Sequence, residues 1–353
     1  MSDYAGTLPD PLSASIDEWT FKANELTGSR YGKVRVVLSC QALLKNLLDI
    51  LQADRSRNSI DIALEIIQTE NVALQSALLT ASTIQAPRER EDANLNPEDL
   101  DAVESFNIAL FDLLWAPYDE AALDEAMNRL KQRLLYNDLG PAFLSGKRCV
   151  DLGCGGGRFS FTLSLLGAEQ VFGIDLGTKS LDAARDWAGR LELENTKFEV
   201  KSCYDTGFES ASIDFIVSNG VAHHHTRFDE ALTEMHRILA PGGILWLYMT
   251  GPIDNILLHV SEVVKSVMRK IPVELASEVL RLCATPAPAF NTVMDGMYAV
   301  YYYRSTSNVT NALRSAGFSE VRPLKYVEGF DLAPDPNDKD RFGDGEIRLL
   351  VVK

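Results

Sequence analysis

A chain of 353 residues is long enough for two domains, and 46% hydrophobic content is that of an ordinary globular protein. A net charge of −16 argues against tight binding to a polyanion, since phosphate contacts need a basic surface, so no nucleic-acid partner is expected. The cysteines Cys40, Cys149, Cys154, Cys203 and Cys283 are scattered without metal-site spacing, no apolar run approaches the ~18 residues of a membrane span, and no cleavable signal pattern opens the chain. The expectation is therefore reduced thiols, no metal, no membrane and a cytoplasmic setting.

Residues 1–140 read as a separate all-α domain. Val36-Val37, Leu43-Leu44, Leu47-Leu48 and Leu51 recur at helical spacing over 34–52. Ile62, Ile66, Val72-Ala73, Ala77 and Leu79 do so over 59–84, with Asn58 or Ser59 as the cap. A polar break runs from Pro87 to Asn96. Asn96-Pro97-Glu98-Asp99 then starts a third helix, with a cap residue, a proline in the first turn and acids toward the positive end. That helix reaches about Leu114. A fourth, Asp119 to Tyr136, puts Leu123, Met127, Leu130 and Leu134 on one face. Such helices can bury a small core, act as a lid or join two copies as a homodimer. Residues 1–140 carry 23 acids against 12 bases, a surplus that reads as a solvated face.

From residue 141 the pattern changes to short apolar runs alternating with helices, the mark of a parallel sheet. Val150 and Leu152 end a buried strand, and Gly153, Gly155, Gly156 and Gly157 let the backbone turn tightly and approach a ligand. The dinucleotide fingerprint fails here, because Arg158 stands at its third glycine. Asp151, placed before the glycines, would repel a pyrophosphate and suits a cationic group, such as the α-amino group of a bound amino acid. Val171-Phe172-Gly173-Ile174-Asp175-Leu176 is a second strand ending in an acid, 24 residues after Asp151. Asp175 can accept both hydroxyls of a ribose, or cap the helix starting near Lys179-Ser180. Phe198 to Cys203 is a third strand and Ile213 to Val221 a fourth, with Asn219-Gly220 at its carboxyl end, where open sheets bind ligands. A helix from Phe228 to Leu239 stops at Pro241-Gly242-Gly243, and Ile244 to Met249 is the fifth strand.

These motifs, over about residues 140–250, resemble the class I S-adenosylmethionine-dependent methyltransferases. The acid-x-Gly-x-Gly-x-Gly run at Asp151 to Gly157 is similar to their first motif, and the stretch from Ser218 through Gly243 matches their spacing. The resemblance implies an α/β, Rossmann-like, seven-stranded and mostly parallel sheet with helices on both faces and its last strand antiparallel. It implies S-adenosylmethionine as cofactor, held by Asp151, Gly153, Gly155, Gly157, Asp175, Leu176, Ser202, Cys203 and Asn219. Ser202 and Cys203 stand where the family commonly has an acid that meets the adenine amino group.

Between Pro252 and Pro272 an amphipathic helix carries Ile256-Leu257, Val260, Val263-Val264, Val267-Met268 and Ile271 on one side. A second helix and a proline-broken loop, Thr285-Pro286-Ala287-Pro288, follow it. Family members often place an insertion after the fifth strand over the acceptor pocket, which gives residues 252–296 that role or that of a helix pair packed on the core or another subunit. Tyr298 to Arg304 reads as a strand with Tyr301 and Tyr303 on one face. Those tyrosines could hold a cation or pack in the core, and Arg304 could hold a substrate carboxylate. Helix Ser307 to Ala316, the turn Gly317-Phe318 and an apolar strand from Glu346 to Lys353 close the chain.

Methyl transfer to an O–H, N–H or S–H acceptor needs alignment and removal of a proton. His223-His224-His225 lies just past Asn219-Gly220. His224 and His223 are the candidate bases, unless they only hydrogen-bond loop backbone. The fourth strand lacks the Asn/Asp-Pro-Pro-aromatic run that binds planar nitrogens, which leaves a small molecule or a peptide as acceptor. The sequence thus points to a small-molecule methyltransferase. A peptide or protein methyltransferase, a non-catalytic S-adenosylmethionine-binding module and a nucleotide-dependent oxidoreductase are the rival readings.

Overall fold

The computed structural model describes residues 8–83, 99–115, 120–328, 331, 333, 335–343 and 346–353. These fall into two compact units: the described parts of Met1–Asp99, Pro252–Ala299 and Leu332–Gly345, and those of Leu100–Gly251, Val300–Asp331 and Glu346–Lys353. The division differs from a boundary at residue 140. The third and fourth expected helices belong with the sheet, and the helices inserted after the fifth strand belong with the amino-terminal ones.

The helical unit opens with α1 (Asp10–Leu26), α2 (Arg30–Ala53) and α3 (Ser59–Thr83). The sequence reading passed over α1, which Pro9 introduces and Pro11 enters in the first turn. Its buried Leu12, Ile16, Trp19, Ala23 and Leu26 nevertheless keep helical spacing.

The sheet unit begins with α4 (Leu100–Trp115) and α5 (Glu120–Tyr136). The expected break from Pro87 to Asn96, the cap at Asn96 and the helix start at Asp119 lie outside the described residues. A short turn of helix, α6 (Pro141–Leu144), leads into β1 (Arg148–Leu152), α7 (Arg158–Leu165), β2 (Gln170–Asp175), α8 (Thr178–Arg190), β3 (Thr196–Val200) and β4 (Ile213–Asn219). A 3-10 turn over Ala222–His224 then gives way to α9 (Phe228–Ile238) and β5 (Leu239–Met249). The chain next leaves for the helical unit, where α10 (Ile256–Met268), α11 (Val273–Leu282) and α12 (Ala287–Tyr298) lie. On its return it forms α13 (Thr306–Ser315) and β6 (Glu320–Pro323). After α14 (Lys339–Phe342), in the helical unit, β7 (Ile347–Val352) completes the sheet.

The strand order is β3-β2-β1-β4-β5-β7-β6, parallel except that β7 runs antiparallel to both β5 and β6. This is the Rossmann-like seven-stranded architecture. Alternate side chains feed opposite faces, as the pleat requires. Val150, Leu152, Ile216, Leu245 and Leu247 pack with Leu232 and Met235 of α9 and Val309 and Leu313 of α13. Cys149, Phe215, Val217 and Trp246 pack with Leu130 and Leu134 of α5 and Phe159 and Leu163 of α7. Register sets Leu152 beside both Ile174 and Ser218, so the carboxyl ends of β1, β2 and β4 open side by side. A cleft forms there because the connections diverge to opposite faces.

One expected strand is absent. Tyr298 ends α12, and residues 299–305 carry no strand. The aromatic run gives β propensity, but no ladder partner reaches it. Its backbone is met instead by the Asn107 side chain at Val300 and by the His223 carbonyl, which accepts from Tyr302 N–H at 2.7 Å.

Candidate functional site

The glycine turn after β1 is built by backbone geometry. Gly153, Gly155 and Gly157 have φ of 71°, 50° and 85°, the left-handed region that side chains disfavour. Gly157 caps α7, and a Cβ there would stand 2.5 Å from Cζ of the buried Phe161 ring. Gly157→Ala is therefore expected to destabilise the fold by about 2 kcal/mol, combining the left-handed penalty with a clash. Urea unfolding of the variant would measure it, and an unchanged midpoint would show that the loop has another conformation open to it.

Two carboxylates hold this turn. Asp175, at the end of β2, accepts Gly155 N–H and Gly177 N–H, each at 2.8 Å, one on each oxygen. Burial pushes its carboxyl up, while those N–H donors oppose the shift. Asp151 sits behind the loop, 2% exposed, and accepts the Ser160 hydroxyl at 2.7 Å. Burial pushes it up to about 7, against the pull of Ser160 and Arg158.

The sign for stability follows. An acid whose folded pKa is raised contributes most below its unfolded pKa of 3.8, and that contribution is lost as pH rises through about 7. Asp151→Asn keeps the shape without the charge. The stability of the native chain minus that of Asp151→Asn is expected to fall by up to roughly 4 kcal/mol between pH 4 and 8. Parallel stability profiles in thermal unfolding would show Asp151 to be unshifted.

Beyond the glycine turn lies a cavity of about 130 Å³ within the sheet unit. Gly153, Ile174, Asp175 and Leu176 form one side of it. Lys201, Cys203 and Tyr204 after β3, and Gly220, Val221, His224 and His225 after β4, form others. The remaining wall is α4, through Glu104, Asn107, Ile108 and Phe111. Val221 packs so close to Gly153 that a Cβ there would lie 2.6 Å from its methyl carbons. Asp112 of α4 accepts both N–H and hydroxyl of Ser180, at 2.7 and 3.0 Å, and so caps the first turn of α8. That duty therefore does not fall to Asp175.

The three histidines take different roles. His223 is 4% exposed, and its Nδ1 accepts Thr250 N–H at 3.0 Å, so it ties the 3-10 turn to the end of β5. The same cavity takes in His224, whose Nδ1 is 2.9 Å from the Val300 carbonyl. A carbonyl only accepts, so Nδ1 carries the proton and Nε2 is the basic nitrogen. Its ring packs against Phe111 and Tyr301, with centroids 4.5 and 4.9 Å away. His225 is held neutral, pushed down to about 4 by burial and then by Arg304. Its Nε2 lies 3.3 Å from Cys203 Sγ, and burial pushes that thiol up to about 12. The pair is a neutral thiol beside a neutral imidazole, not an activated nucleophile.

Several expected contacts fall elsewhere. Asn219 Oδ1 accepts the Trp246 indole N–H at 3.2 Å, and its side chain is spent on β5 rather than the cavity. Ser202 accepts Tyr204 N–H at 3.2 Å in a local turn, since β3 already ends at Val200. Arg304 donates to the carbonyls of Tyr302 and His225 at 2.8 and 3.3 Å and lies over the Phe228 ring at 4.2 Å. Its guanidinium thus faces α9, not the cavity. Tyr301 meets His223 edge-on and His224 at a tilt, with Tyr303 next to it at 5.5 Å. Helix α4 is the wall that sequence reasoning missed. Its signal was Asn107, a polar residue in the buried stripe Val103, Leu110 and Leu114.

Left-handed glycines, a buried acid before them and a second acid at the tip of β2 thus lie together at the carboxyl end of the sheet, beside this cavity. Residues 150–247 match the family described as a methyltransferase domain. The chain is 28% identical over 120 residues to the fatty-acid O-methyltransferase of Mycolicibacterium smegmatis, spanning 34% of this chain and 43% of that protein. It is 36% identical over 104 residues to the ribosomal protein L11 methyltransferase of Pseudomonas paraeruginosa, 30% of this chain and 34% of that one. Identity to the ubiquinone biosynthesis O-methyltransferase of Bordetella pertussis is 45% over 83 residues, 24% of this chain and 33% of that protein. The matches thus span less than half the length of these relatives. Residues 150–247 are thus a methyltransferase domain of the class I S-adenosylmethionine-dependent kind, and S-adenosylmethionine is the cofactor of that domain.

The residues present suit that cofactor. Asp175 keeps carboxylate lone pairs beyond its two backbone donors, enough to accept ribose hydroxyls. Gly153 presents bare backbone to the cavity. Asp151, pushed up to about 7 by burial, would be drawn toward its charged form by a nearby cationic amino group. Among the described residues, no group of three His, Cys, Asp or Glu could hold a metal ion, and no helix is long and apolar enough to cross a membrane.

Proposed function

We propose that the protein transfers a methyl group to a small-molecule acceptor at an O–H, N–H or S–H, with His224 taking the proton. The observation that carries this reading is the position of His224. Its imidazole lines the same cavity as Gly153 and Asp175, with Nδ1 on the Val300 carbonyl and Nε2 as the basic nitrogen. S-adenosylmethionine supplies a methyl carbon bound to a sulfonium, which is released as a neutral thioether. Nε2 of His224 would take the acceptor proton as the acceptor lone pair attacks that carbon and the carbon–sulfur bond breaks. Asp175 and the glycine turn would hold the nucleoside, and Ile108, Phe111 and Val221 give the cavity apolar walls.

With α4 as one wall, a cavity of about 130 Å³ favours a small acceptor. Two of the relatives are named for a fatty acid and for ubiquinone biosynthesis, which agrees; the third is named for a ribosomal protein. Methyl-labelled cofactor incubated with a cell extract separates these. Label in the low-molecular-weight fraction supports the reading. Label retained only on macromolecule overturns it in favour of a protein methyltransferase.

A further inference from the structure

We propose that Asn107 of α4 is a positioning residue that sets the tautomer and aim of His224 through the backbone of Val300. The proposal rests on the reading of His224 as the base. The carboxamide of Asn107 faces one peptide residue with both its groups. Nδ2 donates to the Val300 carbonyl at 3.1 Å, and Oδ1 accepts Val300 N–H at 3.1 Å. No flip of the amide satisfies this pair, since a carbonyl must accept and an N–H must donate. The Val300 carbonyl has two lone pairs, and the second takes Nδ1–H of His224 at 2.9 Å. One oxygen therefore joins α4 to the imidazole.

The surroundings make the arrangement costly to lose. Asn107 is 5% exposed and sits between Val103 and Leu110, where an apolar residue would serve packing alone. An unpaired amide there would forfeit its hydration with no return. Residues 300–302 have no strand neighbour, so the clamp does the work of a ladder. One helical turn along, Phe111 meets the His224 ring from the same helix, and Tyr301 meets it from the clamped segment. Position, tautomer and ring angle of His224 thus all depend on α4 lying where it does. With Nδ1 protonated, Nε2 is the nitrogen that can accept a proton.

Two substitutions separate positioning from packing. Asn107→Asp keeps the acceptor for Val300 N–H, loses the donor and adds a negative charge near the imidazole. Asn107→Leu keeps the volume and removes both bonds. The primary reading is ¹⁵N NMR of the His224 ring in the full chain, which reports tautomer and titration without turnover. The native protein is expected to show the Nδ1–H tautomer. Asn107→Asp should raise the His224 titration midpoint, and the acid limb of the kcat/KM profile, by about one pH unit. Asn107→Leu should give mixed tautomers and a fall in kcat of about tenfold, with S-adenosylmethionine affinity kept. An Nε2–H tautomer in the native protein overturns the proposal without any variant, should neither fold. Unmoved tautomer and midpoint in folded variants overturn it also. If the tautomer follows Asn107 while His224→Ala turns over at the native rate, the positioning stands and the base assignment falls.

Discussion

Asp175→Ala is expected to weaken S-adenosylmethionine binding by about 3 kcal/mol, roughly a hundredfold in affinity. Two losses add. The ribose hydroxyls lose a charged acceptor, and hydrogen bonds to charged groups are each worth about 1.5–3 kcal/mol. Gly155 N–H and Gly177 N–H also lose the oxygens that they bond at 2.8 Å, so the glycine turn loses its fixed shape. Asp175→Asn should fall between, because the amide oxygen can serve one of those N–H groups and its NH₂ none. Calorimetric titration with S-adenosylmethionine and S-adenosylhomocysteine measures both variants. Native affinity in a folded Asp175→Ala protein would mean that β2 ends at something other than the ribose. The alternative duty, capping the next helix, is met at Ser180 by Asp112 in the structure, which leaves Asp175 without that explanation.

What the sequence disclosed and what it hid divide by range along the chain. The strand–glycine–helix unit at Val150 to Ser160 is written in adjacent residues: alternating apolar side chains, then glycines where φ is positive, then helical spacing. The seven-stranded, mostly parallel sheet was implied by the family resemblance, and its last strand, β7, is antiparallel as expected. The α4 wall is different in kind. Asn107 meets Val300 across 193 positions and Asp112 meets Ser180 across 68, and no local pattern encodes such a meeting. The tyrosine run at 301–303 misled for the same reason. Propensity favours extension there, but a strand needs a neighbour, and the chain supplied a side-chain amide and a carbonyl instead. Arg304 and Asn219 were right for ligand binding by type, yet both found partners nearer at hand in the Tyr302 and His225 carbonyls and the Trp246 indole.

His224→Ala is expected to lower kcat by about 10²–10³-fold, the usual worth of a positioned general base, with cofactor affinity unchanged. The neighbouring histidine provides the contrast. His223→Ala removes the acceptor of Thr250 N–H, an amide bonded at 3.0 Å, and leaves it unpaired beside a nearly buried site. Its cost should appear chiefly as stability, about 1–3 kcal/mol in urea unfolding, with a much smaller change in turnover per folded molecule. The two variants differ in one methylene-linked ring at adjacent positions, so a general disturbance of the turn would affect both alike. A rate loss confined to His224, with cofactor titration normal, places the proton transfer at its Nε2. Equal rate losses would instead make the turn a scaffold whose shape matters more than either ring. Full turnover in His224→Ala would point to an acceptor that needs no base, one already nucleophilic in its neutral form, and the methyl would then pass by alignment alone.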